Sequence, residues 1–101
     1  MTRRRPPERR VLRLALEELE GLLRGPDVDR PMSSWDDVIR AVPENSRDEG
    51  RKLVIEELRL ASHVHANGSN PWNPAPTLGT LLRLTHLNVQ AALRRTARYC
   101  V

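Results

Sequence analysis

Three histidines, one cysteine and four carboxylate doublets are the groups in this chain whose types could carry chemistry. His63 and His65 stand two residues apart, and on a helix that spacing turns them about 200° away from each other. They cannot share a ligand face, because zinc wants donors three or four apart, or thiolates. His86 stands alone, and Cys100 lies beside the chain end. A Cys–His nucleophile pair also needs a third, orienting group, and the sequence places none, so Cys100 reads as a free thiol. The doublets Glu17-Glu18, Asp36-Asp37, Asp48-Glu49 and Glu56-Glu57 are adjacent pairs. Adjacent helical residues do not face each other, so these are not acid/base dyads. No Gly-rich phosphate loop and no nucleophile elbow occurs. The expectation is a non-enzyme with no cofactor, no metal and no evident small-molecule substrate.

Charge is the stronger signal. The net charge of +4 rests on sixteen arginines and one lysine, in a chain with fifteen leucines and no phenylalanine. A GC-rich genome accounts for most of that bias. Its distribution is informative: residues 1 to 13 carry +5, residues 14 to 76 carry −5 and residues 77 to 101 carry +4. Basic ends can fold across an acidic middle, and that self-pairing competes with any polyanion partner. Arg94, Arg95 and Arg98 fall where a last helix would end, a place that favours cations. Arg9 and Arg10 fall in a first turn, where cations are disfavoured. With Arg3, Arg4, Arg5 and Arg13 they make a basic cluster that the local helix does not reward, and a nucleic-acid backbone is one partner that would.

The elements that must hold these groups are all helical. Residues 1 to 6 read as a disordered basic tail, and residues 7 to 101 as one helical domain. The first predicted helix begins near Pro7 and runs to Arg24, stopped by Gly25-Pro26, with Leu12, Leu16, Leu19 and Leu23 along one face. Asp27 to Met32 reads as a linker. Ser33 or Ser34 is placed to cap a short helix carrying Trp35, Val38, Ile39 and Val42, ended by Pro43. Ser46 and Glu49 form a capping box for a third helix from about Arg47 to Ala66. The fourth starts near Thr77, presents Leu78, Leu82, Val89, Ala92 and Leu93, with Leu81, Leu84 and Leu87 broadening the face, and frays after Arg98. No stretch alternates with period two. The expected fold is an all-α antiparallel three-helix bundle with a short additional helix closing one end.

Between the last two helices lies HANGSNPWNPAPT, with three prolines and one of the chain's three aromatic residues. Prolines push Asn70, Asn73 and Ala75 into extended geometry. Trp72 midway along such a crossing reads first as a lid on the core, and second as an interaction knob within a PxxP-like segment. A helix-turn-helix reading of the second and third helices fails on charge: the recognition helix would open with Asp48 and Glu49.

LEELEGLLRG, WDDVIRAVP, SRDEGRKLVIEELRL and LLRLTHLNVQAALRRTARYC, in that order, resemble small helical proteins of unknown function common in actinobacteria, some of them encoded beside natural-product genes. The resemblance covers most of residues 10 to 100 and departs at the Pro26 to Met32 linker and at the PWNPAP loop. It implies a compact helical bundle and an actinobacterial origin, and carries over no catalytic residue.

The last helix carries leucine or alanine nearly all round, more than one bundle face requires. The leading expectation is therefore a small cytoplasmic protein acting through protein–protein contact, as adaptor, regulator or oligomeric component. Trp72, Leu81, Leu84 and Leu87 are the interaction candidates, and a homodimer through the last helix is one way to cover them. The single cysteine favours a reducing compartment, and no apolar run is long enough for a membrane span. The alternative is a sequence-tolerant nucleic-acid-binding accessory protein gripping phosphates with Arg3, Arg4, Arg5, Arg9, Arg10 and Arg13.

Overall fold

A computed structural model describes residues 8–45, 47–65 and 75–99, with the backbone alone at 63–65 and 97–99. The basic tail, Ser46, the Trp72 loop and Cys100 lie outside the described residues. Over the described residues the chain is all-α. Helix α1 (Arg9–Leu23) is followed by a 3₁₀ turn (Pro26–Asp29), short α2 (Trp35–Ala41), α3 (Glu49–His65) and α4 (Leu78–Tyr99). The three long helices pack pairwise around one core, to which Leu12, Leu19, Val54, Leu58, Leu82 and Val89 contribute and α2 adds Val38.

Each helix follows from its sequence with local corrections. In α1 the fully buried line is Leu12, Ala15 and Leu19, while Leu16 and Leu23 of the expected stripe are only partly covered. On another side of α1 the packing is tighter. A Cβ on Gly50 would stand 2.9 Å from Leu14 Cβ and 3.0 Å from the Leu14 carbonyl carbon, so α3 crosses α1 almost backbone on backbone. Glycine is the residue that permits such an approach.

The helix starts use different acceptors from those expected. Ser34 occupies the cap position of α2 without a side-chain hydrogen bond. Instead the Ser33 N–H donates to Asp37 Oδ2 at 2.8 Å, because an ionised carboxylate is the stronger acceptor. At α3 the Arg51 N–H donates to Asp48 Oδ1 at 3.1 Å, so Asp48 is the cap. Glu49 Oε2 accepts from Arg10 at 2.7 Å, and the expected capping box with Ser46 falls outside the described residues. At α4 the Thr80 N–H donates to Thr77 Oγ1 at 3.2 Å, which is the expected start with a threonine cap.

The linker is also more ordered than a plain connection. Pro26 opens the 3₁₀ turn, its fixed φ suiting a first helical position. Beyond it, Pro31 and Thr77 stand opposite each other in an isolated antiparallel bridge. The Met32 N–H donates to the Pro76 carbonyl at 2.7 Å and the Leu78 N–H to the Arg30 carbonyl at 2.9 Å. Pro31 and Thr77 form the pair that exchanges no hydrogen bond, so the missing proline N–H costs nothing. This strap fixes the start of α4 just beyond the end of α1, and α4 runs back along α1. Gly79 allows the fit, since a Cβ there would meet the Val28 carbonyl oxygen at 2.9 Å.

Candidate interaction surface

Helix α4 positions the surface. Successive residues turn by about 100° around the axis. Leu78, Leu81, Leu82, Thr85 and Val89 therefore fall on one arc, and all are buried. The Thr85 hydroxyl, inside that arc, donates to the Leu81 carbonyl at 2.8 Å, so the buried polar group is satisfied. Thr80, Leu84, Leu87 and Ala91 fall on the opposite arc, at spacings of four, three and four. Leu84 is 37% exposed and Leu87 61% exposed. With Leu60 of α3 at 47%, they are the large apolar side chains left in solvent among the described residues. Arg83 and Arg94 border this stripe on one side and Arg95 on the other, all three exposed.

The structure divides the interaction candidates. Leu84 and Leu87 lie together on the outer face of α4. Leu81 does not: it is fully buried in the core, which corrects its place among the interaction residues. The physical reason is its position on the same arc as Leu78 and Leu82, which the leucine-rich sequence blurred. Trp72 lies outside the described residues.

The basic cluster is likewise divided. Arg3, Arg4 and Arg5 lie outside the described residues. Arg10 donates to Glu49 Oε2 at 2.7 Å and lies 3.8 Å from Glu8, so the acidic segment at the start of α3 holds it. Arg9 is half-buried, and its Nε is buried with no hydrogen-bond partner among the described residues. Arg13 is exposed. At about 100° per residue the three fall within one arc of α1, but they differ in state: Arg13 is open to solvent, Arg9 is half-buried and Arg10 is paired.

Sequence spacing missed one polar centre. Arg51 donates from Nε and Nη2 to Glu18 Oε2 at 3.1 and 2.8 Å, and from Nη1 to the Pro43 carbonyl at 3.0 Å. Its side chain thus ties α1, the end of the α2 segment and α3 together at one point. No local signal could have revealed it, because Glu18 and Arg51 lie 33 residues apart. Beside it is an open cleft of about 320 Å³ lined by Leu14, Glu17, Gly21 and Asp48 among others. Arg51, Glu18 and Asp48 are already committed there, to one another and to the backbone of α3. Arg59 stands over the Trp35 ring at 5.3 Å from its centroid and links α2 to α3.

Among the described residues no group of three His, Cys, Asp or Glu side chains is placed to hold a metal ion. No described helix is long and apolar enough to cross a membrane. The chain matches no protein-family model, no curated protein and no solved structure.

Proposed function

We propose that this chain is a small helical interaction module whose docking surface is the outer face of α4. The observation that carries the reading is the exposure of Leu84 and Leu87 outside the buried arc of the same helix, Leu87 opposite it and Leu84 beside its edge. Together they leave about one whole leucine side chain in water, and burying that much apolar surface is worth roughly 1.5–3 kcal/mol. A helix that needed only to close its own bundle would carry polar residues there. The setting we favour is a cytoplasm, given the lone cysteine. No catalytic role is assigned to any residue. In the polyanion-binding alternative Arg10 would have to exchange its exposed pair with Glu49 for a phosphate.

Size fractionation of extracts from cells making the tagged chain tests the reading. The native protein should elute in an assembly larger than its own 11.6 kDa. The Leu84→Ser/Leu87→Ser variant, folded by circular dichroism, should elute alone. Identical elution of the two proteins would count against an α4 docking surface.

A further inference from the structure

We infer that the partner of this face is an acidic amphipathic helix, laid along α4 so that its own apolar stripe covers Leu84 and Leu87. The inference rests on the docking role proposed above and adds the partner's chemistry. Thr80, Leu84, Leu87 and Ala91 repeat every three or four residues, which is the seam of a two-helix packing rather than a socket for a small molecule. With Leu84 and Ala91 at the a positions of a heptad, the e position at Leu81 is buried in the core and Arg94 falls at the d position after Leu87. The flanking e and g positions open to a partner fall at Arg83, Asn88, Gln90 and Arg95. These flanks decide partner choice in such seams.

The flanks are basic and uncompensated. Helix α4 spans Leu78–Tyr99 with four arginines and no acidic residue. Among the described residues, Arg83, Arg94 and Arg95 enter no ion pair. A second copy packed through α4 would bring a second Arg83, Arg94 and Arg95 to the seam and no carboxylate from α4. Such a dimer gains no cross-seam ion pair and gathers like charge, which disfavours it. A helix with Glu or Asp at its own e and g positions gains both the apolar burial and the charge pairing.

Two synthetic helical peptides about three heptads long test this, both with leucine at a and d. One carries Glu at e and g, the other Lys, and each is titrated by fluorescence anisotropy into the full chain. The Glu peptide should bind at least about threefold more tightly, because Arg83 and Arg95 each gain a few tenths of a kcal/mol against Glu and lose a similar amount against Lys. Leu87→Glu should weaken the Glu peptide about tenfold or more. The Arg83→Glu/Arg95→Glu variant, altered only at exposed positions, should reverse the preference and take the Lys peptide instead.

Equal binding of the two peptides, or no effect of Leu87→Glu, overturns the inference. So does a dimer by light scattering that Leu87→Glu dissolves, which would make the occupant a second copy. Leu87-dependent sedimentation with phosphatidylglycerol vesicles, with neither peptide bound, would make it a lipid surface and overturn it too. If the Leu84- and Leu87-dependent assembly in extracts persists while the Glu peptide fails to bind, the docking role stands and only the acidic chemistry falls.

Discussion

At the scale of the residue, two positions set the relation of α1 to α3. Arg51 is 21% exposed and Glu18 29%, and the guanidinium meets both a carboxylate and a backbone carbonyl. Removing it leaves Glu18 without its cation and the Pro43 carbonyl without its donor. Arg51→Ala should destabilise the fold by about 1–3 kcal/mol in urea titration. Arg10→Ala removes a contact of similar length between side chains more than half exposed. It should change stability by no more than about 0.5 kcal/mol. Equal losses at the two sites would mean that burial does not separate them. Gly50 makes a sharper case. Helix propensity alone favours alanine there by about 1 kcal/mol. The close Leu14 backbone reverses that sign, because the new methyl has no room. Gly50→Ala should lower stability by roughly 1–3 kcal/mol, and a rise in the melting temperature would refute the close crossing.

At the scale of the element, apolar periodicity was enough to read all four α-helices. The short second one was read from Trp35, Val38, Ile39 and Val42 without a leucine, and the Gly25-Pro26, Pro43 and Thr77 signals marked boundaries. The caps were legible only in part. Several acceptors near each helix start compete: at α2 the Asp37 carboxylate takes the Ser33 N–H while Ser34 caps nothing, and at α3 Asp48 takes the Arg51 N–H. The strap at Pro31 and Thr77 was hidden for a related reason, since a single bridge leaves no alternation in the sequence. On the outer face of α4, Leu84 and Leu87 were legible as surplus, whereas Leu81 was assigned to the wrong arc because leucines stand on both. The caps make a testable contrast. Thr77→Ala and Asp48→Ala should each cost about 1 kcal/mol. Ser34→Ala, at a cap with no side-chain bond, should cost almost nothing in the same melts. Amide exchange should quicken in the first turn of α4 for Thr77→Ala and nowhere else.

At the scale of the whole molecule, charge and apolar surface are arranged together. The acidic middle of the chain holds part of its basic start through Glu49 and Arg10. The basic end is different: Arg83, Arg94 and Arg95 stand beside the exposed leucines of α4, and none of the three enters an ion pair among the described residues. Because Leu87 contributes little to the core, Leu87→Glu should leave the melting temperature within a few degrees of the native value while removing the docking function. The most direct measurement is a photocrosslinking scan in living cells. A benzophenone side chain would be placed in turn at positions 80, 84, 87 and 91, and at the exposed positions 13, 20, 40 and 52 on other elements. Discrete protein adducts should form from the α4 positions and not from the others, tracing one helical stripe. Adducts from positions 13 or 20 with none from 84 or 87 would place the working surface of this protein on α1 and contradict the role given to α4.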